Sequence, residues 1–424
     1  MHKFFRACAV GLALTAALTV PSLAAEFTES ADHLHELGLF QGTQQGYELD
    51  RAPTRAEAAA MLVRLLGKET EAKQLAYEAP FTDLQNWEKP YVQYLYENGL
   101  TTGATATTFE PEQPCTAQMY GAFLLRALGY SEVAGDFTYR EATAFAEQVG
   151  VYDKGTVDPD HFLRDHVAAA SYTALALSAK ETDIILLDQL VQEEAVDKAA
   201  ANPYQKLFTV YNAYRKATEG MEALTAMQIT GQVTVKAEQE NNAFTLLSEE
   251  TSWIDKQTPA LLTQRIVTMQ SPGIADKTFT AESYTADGVQ YSRQNGQRSR
   301  REILARQMHV LNEGYARVPL VYVQSMTRSG NQYEIAYSGA GMARLRQVFD
   351  AARSAVEGYD ALAFDAISIS QTVSAGRIAS QKIEFSFSGN GLAGTVASEF
   401  KLQKVGEAAA FTPPSNLDQY PLVK

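Results

Sequence analysis

The sequence predicts a multidomain chain: an all-α repeat unit, a helical connector and a curved antiparallel β domain packed on helices. Three observations predict it. Ala/Leu-rich stretches at helical spacing fill residues 28–180 and repeat internally. Residues 181–226 keep helical spacing but carry many charges. From Ile229 onward apolar and polar residues alternate, the period of a half-buried strand. With 424 residues there is enough chain for two or three cores. We read residues 1–25 as a leader, 26–180 as three repeats (28–70, 80–130 and 135–180), 181–226 as a connector and 227–424 as the β domain.

The repeat comes first because it determines the fold. Gly38-Leu39-Phe40-Gln41-Gly42 is echoed by Gly99-Leu100-Thr101-Thr102-Gly103, and more weakly from Gly150 to Gly155. Tyr47, Thr54 and Gly67 correspond to Phe109, Thr116 and Gly129; Thr to Gly is 13 residues in both copies and aromatic to Gly is 20 in both. Each unit reads as helix, Gly-rich loop, short extended piece, helix.

Thr54-Arg55-Ala56-Glu57 has the form of a capping box, in which the Thr54 hydroxyl takes the Glu57 N–H and the Glu57 carboxylate reaches back to the Thr54 N–H. Ala58 to Leu66 is a strong helix former and Gly67 ends it. The second copy keeps Thr116 but has Met119 in the glutamate position, and the third has Leu163-Arg164-Asp165-His166.

These residues resemble the S-layer homology motif. The resemblance is carried by Phe81-Thr82-Asp83 followed by Trp87, by Gly99-Leu100 and Gly103, by Phe109-Glu110-Pro111, and by the Thr54-Arg55-Ala56-Glu57 box. It covers residues 28–180. The family implies three-fold pseudosymmetric helical packing and non-covalent attachment to secondary cell-wall polysaccharide, a peptidoglycan-linked polymer that is often pyruvylated. The copies are unequal. The first lacks the Phe-x-Asp…Trp lead-in, the second has Ala117 in place of Arg55, and the third keeps Arg164 without the flanking Thr and Glu.

The candidate polymer-binding residues are therefore Arg55, Arg164, Thr54, Glu57, Trp87 and Asp83. A cation in the first turn opposes the helix dipole by some tenths of a kcal/mol. That placement makes sense where an anion is held, with backbone N–H groups and a guanidinium converging on one carboxylate. A pyruvyl ketal supplies such a carboxylate. Trp87 either packs the helix pair or stacks on a sugar ring. Asp83 either caps the helix that follows or takes a sugar hydroxyl. One or two grooves, near Arg55 and Arg164, are expected to bind.

Composition narrows the function. The net charge of −14 argues against a general nucleic-acid binder, since phosphate affinity rests on clustered Lys and Arg. His2, Lys3 and Arg6, the apolar run Ala7–Val20, and Ser22-Leu23-Ala24-Ala25 read as a cleavable export signal, cut after Ala24 or Ala25. No later run is long enough to span a membrane. Cys8 falls in the leader, which leaves Cys115 as a small buried hydrophobe.

In the connector, Leu186, Leu187 and Leu190 and then Leu207, Val210, Tyr211 and Tyr214 recur at helical spacing, and Asn202-Pro203 predicts a break between two helices. In the β domain, Asp287-Gly288, Asn295-Gly296 and Asn390-Gly391 signal hairpins, and Ile383, Phe385 and Phe387 alternate with polar residues. A helical stretch at 342–356 interrupts the strands, and the tail from Phe411 to Leu417 reads as extended. The pattern of residues 200–424 resembles the half-barrel of the lipoprotein-carrier superfamily, which implies a curved sheet on helices and, in some members, an apolar cavity. Arg293, Arg298, Arg300, Arg301 and Arg306 form a local basic cluster.

No Gly-x-Ser-x-Gly elbow, His-Glu-x-x-His or phosphate loop is present. The expected protein is exported, wall-anchored and non-catalytic, without cofactor or metal. Its β domain would bind an apolar ligand or a surface protein. A lipid or lipoprotein carrier at the wall and a wall-anchored hydrolase are the alternatives.

Overall fold

Alanine-rich sequence broken by Gly and capping residues yields short helices over the first half of the chain. The computed structural model describes residues 26–153, 155–239, 242–302, 315–343, 363–389 and 391–422. Its helices are α1 (Thr28–Glu36), α2 (Arg55–Leu65), α3 (Glu69–Ala72), α4 (Lys89–Glu97), α5 (Ala117–Ala127), α6 (Ala142–Val149), α7 (Arg164–Leu175), α8 (Leu186–Gln192) and α9 (Lys198–Ala217). The second helices of the three copies, α2, α5 and α7, touch one another pairwise. Each is buried nearly all round, as a central helix must be. Small side chains let them approach closely: Ala58, Ala59, Ala122, Ala168 and Ala169 are fully buried. Inside this contact the Tyr120 hydroxyl meets Ser171 Oγ at 2.7 Å. Cys115 is buried there too, and burial pushes its thiol up to about 12, so it is an inert packing residue.

The connector differs from expectation in one place. Asn202-Pro203 does not break it, because α9 runs through Pro203. The break lies at residues 193–197, where Asp197 Oδ1 accepts from the N–H groups of Ala199 and Ala200. An interior proline costs about 3 kcal/mol. The buried stripe of Tyr204, Phe208, Tyr211 and Tyr214 on the same helix outweighs that, at about 1.5–3 kcal/mol for each large apolar side chain. Gly67 ends α2 with φ +67° and faces the connector so closely that a Cβ there would overlap Ala195 Cβ.

The alternating half of the chain forms one antiparallel sheet: β1 (Ala226–Gln239), β2 (Asn242–Asp255), β3 (Ala260–Ser271), β4 (Ile274–Ala286), β5 (Val289–Gln294), β6 (Gln297–Glu302), β7 (Val323–Ser329), β8 (Gln332–Tyr337), β9 (Ala363–Ser374), β10 (Arg377–Gly389) and β11 (Leu392–Val405). Its order is β6-β5-β4-β3-β2-β1-β11-β10-β9-β8-β7, so β6 and β7 are edges and the sheet is not closed. Asp287-Gly288 and Asn295-Gly296 turn the hairpins as expected, all four residues at positive φ. Asn390 lies outside the described residues. So does most of the expected 342–356 helix; the described residues are helical at 339–343, which overlaps it at 342 and 343. Alternation holds in β10, where Phe385 and Phe387 are buried and Glu384 and Ser388 are not. The tail from Phe411 lies on the other side of the sheet, its ring edge-on to Tyr284, and ends with Arg300 N–H donating to Pro421 O at 2.8 Å.

Residues paired directly across strands share a face. One such row runs Tyr333, Gln371, Gln381, Phe400, Gly231, Glu250, Arg265. This row faces α9: the Tyr214 hydroxyl donates to Gln371 Oε1 at 2.6 Å, and Gln371 donates on to Gln381 at 2.6 Å. A single apolar core continues from the helices through Phe208, Tyr211 and Tyr214 into Val323, Tyr333 and Ile369.

The joint is fixed by Asp153, 4% exposed, in the third repeat. Its carboxylate accepts from Tyr211 Oη (3.3 Å), Arg317 Nη2 (3.2 Å) and the Leu320 N–H (3.1 Å). Arg317 also pairs with Glu222 at 2.8 Å. Removing one partner of a buried charge pair leaves the other uncompensated, at about 3–5 kcal/mol. Asp153→Ala is therefore expected to destabilise the protein by about that much in urea unfolding and to separate helical and sheet signals into two transitions. A loss below about 1 kcal/mol with one shared transition would show that Asp153 does not hold the joint.

Candidate functional site

The site grows from two matching junctions between repeats. At the start of α2, the N–H of Arg55 donates to Gln113 O (2.9 Å) and that of Ala56 to Pro111 O (3.1 Å), both in the loop of the second repeat. At the start of α7, Arg164 N–H donates to Arg51 O (2.9 Å) and Asp165 N–H to Leu49 O (3.1 Å), in the loop of the first repeat. The side chains match as well. Arg55 Nε donates to Phe109 O at 2.8 Å, and Arg164 Nε to Tyr47 O at 2.9 Å. Phe109 and Tyr47 are the pair matched by spacing in the sequence. The α5 start, with Ala117 where the others have Arg, has a different contact: the Tyr152 hydroxyl donates to Ala117 O at 2.6 Å.

These bonds alter the expected anion cradle. The first two helix N–H groups, which a free helix start would offer to a ligand, are already taken by loop carbonyls. What remains at Arg55 is the outer guanidinium. It lies 5.0 Å from the Phe109 ring centroid, and Nη1 points to Met119 Sδ at 3.0 Å. Among the described residues Nη2 donates to no protein atom. Arg55 is half-buried, whereas the Arg164 side chain is only 5% exposed and sits 3.7 Å from Glu57 Oε1. Burial pulls the Arg164 guanidinium below its ordinary range, with the Glu57 charge opposing that shift.

Thr54 and Glu57 form the expected box: Glu57 N–H donates to Thr54 Oγ1 at 3.2 Å, and Thr54 N–H to Glu57 Oε2 at 2.9 Å. Glu57 does more than cap. Arg51, which the sequence reading did not single out, holds it with two bonds of 2.6 and 2.8 Å. Burial pushes the Glu57 carboxyl up, but the bonds from Arg51 and Thr54 and the Arg164 charge hold it below the usual carboxylate range. Its oxygens are thus occupied.

Asp83 does not cap the following helix. α4 starts from Glu88 without a side-chain cap. Asp83 reaches across to the second-repeat loop, accepting from the Phe109 N–H at 2.9 and 3.1 Å and the Glu110 N–H at 2.8 Å. The reason is sequence distance. Asp83 is five residues before the helix N-cap, too far for a local cap, while the loop presents two adjacent unpaired donors. Asp83 therefore sets the carbonyl on which Arg55 rests. Trp87 is 47% exposed, so it does not pack the helix pair.

In the β domain a groove of about 970 Å³ crosses the sheet, lined by Glu249, Glu250, Glu282, Glu399, Arg265, Arg293 and Lys401 among others. Glu250 and Arg265 pair at 2.9 Å, nearly buried. This lining is charged, unlike the apolar cavity the carrier resemblance implies. The basic cluster is largely tied down: Arg293 to Glu282, Arg298 to Gln419 and over Tyr420, and Arg301 to Gln290. Arg306 lies outside the described residues. Among the described residues no group of His, Cys, Asp and Glu is arranged to hold a metal, and no helix is long and apolar enough to cross a membrane.

The S-layer homology domain family matches residues 80–116, the stretch that holds Asp83, Trp87, Phe109 and Thr116. A middle cell wall protein of Brevibacillus brevis is 30% identical over 118 residues, 27% of this chain and 11% of that protein. A surface layer protein of Brevibacillus choshinensis is 30% identical over 115 residues, 26% of this chain and 10% of that protein. An endoglucanase of a Bacillus species is 33% identical over 91 residues, 20% of this chain and 10% of that enzyme. The chain thus spans about a tenth of the length of these relatives. A DUF1329 family protein from Desulfovibrio piger aligns with 45% of this chain and 91% of its own at 7% identity, with a TM-score of 0.21. The chain thus carries a segment similar to the S-layer homology domain, and the relatives it matches in part include proteins of the bacterial cell wall and surface.

The α7 junction supplies a pH test. His166 occupies the third position of α7, where α2 has Glu57, and its Nδ1 accepts the Leu163 N–H at 3.0 Å. Burial lowers its pKa to about 4. The unfolded chain takes up the proton below about 6.5, so the stability this group confers is lost as pH falls from there towards 4. Asp165 beside it, pushed up to about 6 by burial, has the opposite slope in that range and is present in both proteins compared. In urea unfolding between pH 7 and 4, His166→Gln is expected to lose less stability than the natural chain. Parallel curves would mean that His166 takes up its proton in the fold as readily as in the unfolded chain.

Proposed function

We propose that this chain is an extracellular surface protein held non-covalently on the bacterial cell wall by its repeats, which bind a secondary cell-wall polysaccharide. The observation that carries this reading is the S-layer homology match at residues 80–116, taken with the Asp83–Phe109–Arg55 arrangement that it partly contains. The three repeats pack with three-fold pseudosymmetry around α2, α5 and α7, in keeping with the pairwise contacts of those helices.

Arg55 is the ligand-contacting cation. Its guanidinium is fixed by the Phe109 carbonyl and ring and keeps one nitrogen for an outside acceptor, so little ordering entropy is lost on binding. A carboxylate of the polymer, such as a pyruvyl ketal, fits that donor. Exposed Trp87 is suited to stack on a sugar ring. Thr54, Glu57, Asp83 and the buried Arg164 act as positioning residues. The first two shape the α2 start, Asp83 sets the Phe109 loop, and Arg164 braces the neighbouring junction. The β domain is the part so displayed. Its charged groove suits a polar partner, and no catalytic activity is proposed for it.

Sedimentation with purified wall polymer tests this. Arg55→Ala is expected to weaken binding at least about tenfold, the equivalent of 1.4 kcal/mol, measured at a temperature where circular dichroism shows the variant still folded, since the Phe109 bond is lost with the guanidinium. Trp87→Ala should weaken it by a smaller factor. Full binding by Arg55→Ala would remove Arg55 from the site, and failure of the unaltered protein to bind would remove the wall-anchoring function itself.

A further inference from the structure

Asp165 is a buried carboxylate that the wall-binding reading does not use. It lies in the first turn of α7 with 4% of its surface exposed. Its Oδ2 accepts from the Glu26 nitrogen at 2.8 Å and its Oδ1 from the Phe27 N–H at 3.0 Å. Among the described residues no Lys, Arg or His lies within ion-pair distance of it. An isolated buried carboxylate is costly unless a cation joins it. The nitrogen it grips belongs to the first residue after Ala25, the end of the small-residue stretch read as a cleavage site.

We propose that Ala25–Glu26 is a processing bond and that the ammonium group it releases on Glu26 docks against Asp165 as a buried ion pair. Water is the co-reactant of the cut, which an export peptidase performs. The hydroxyl goes to the Ala25 carbonyl carbon and the proton to the Glu26 nitrogen, which takes a second proton from solvent. The same nitrogen that donates as an amide then donates as a cation, with no movement of Asp165 required.

The geometry gives the docked terminus a purpose. The Glu26 carboxylate accepts from the Tyr322 hydroxyl at 2.7 Å. Phe27 packs on the Tyr322 ring at 5.9 Å, and Glu29 accepts from the Gly339 N–H with both oxygens at 2.9 Å. Residues 26–29 therefore tie α7 to the β domain. A charged Glu26 locks that tie, so leader removal and closure of the repeats on the sheet become coupled.

Two measurements test it. Intact mass and N-terminal sequencing of the exported chain are expected to find Glu26 first; any other first residue overturns the proposal. Chains 26–424 are then compared with a free amino terminus, with that terminus acetylated, and with one glycine added before Glu26. The free form is expected to melt higher than both by about 2 °C or more, and Asp165→Asn to abolish the difference. Equal melting of the three forms with Asp165 intact, a comparison that stands even if the variant fails to fold, would overturn the ion pair. Neither result bears on wall binding, which is read separately by sedimentation.

Discussion

The structure of the N-terminal third depends on one interaction made twice: an arginine at a helix start laid on the carbonyl of an aromatic residue from the neighbouring repeat. Arg55 on Phe109 and Arg164 on Tyr47 each close a junction whose two leading N–H groups are also bonded to that loop. A cation is poorly placed at a helix N-terminus by the dipole alone, a penalty of some tenths of a kcal/mol. A hydrogen bond from a charged donor is worth about 1.5–3 kcal/mol, which settles the balance. The helix starts are thereby satisfied by protein, not by solvent, and three small units become one packed body around α2, α5 and α7.

That body and the sheet are not beads on a string. α9 belongs to both, since its aromatic stripe packs on the repeats at Tyr204 and Phe208 and bonds into the sheet at Tyr214. Asp153 closes the joint from the repeat side by gathering Arg317, Leu320 and Tyr211. Charge on the rest of the sheet is arranged differently. The groove carries both signs at its walls, with one nearly buried pair, Glu250–Arg265, on its floor.

Much of this was legible in the sequence because it is local. The Thr54–Glu57 box, the helix stop at Gly67, the Asp287-Gly288 and Asn295-Gly296 hairpins and the alternation of β10 all follow from residues within a few positions of each other. What was not legible is long-range. The partner of Asp83 is 26 residues away and the partners of Asp153 lie beyond position 210, so the pattern offers Asp83 a helix cap or a sugar hydroxyl where a loop clasp exists. Pro203 misled for the same reason. Its cost is local, while the burial of Phe208 and Tyr214 that overrides it is tertiary. Trp87 could have been core or surface by pattern, and only the packing places it outside. Arg51 was missed although it lies six residues before Glu57, since nothing in a capping box asks for a second cation.

Attachment through a wall polymer can be read by sedimenting the whole protein with two preparations of the same wall, one native and one with its secondary polysaccharide extracted. The protein is expected to pellet with native walls and to stay in the supernatant with extracted ones. Equal pelleting with both preparations, or with neither, would contradict it.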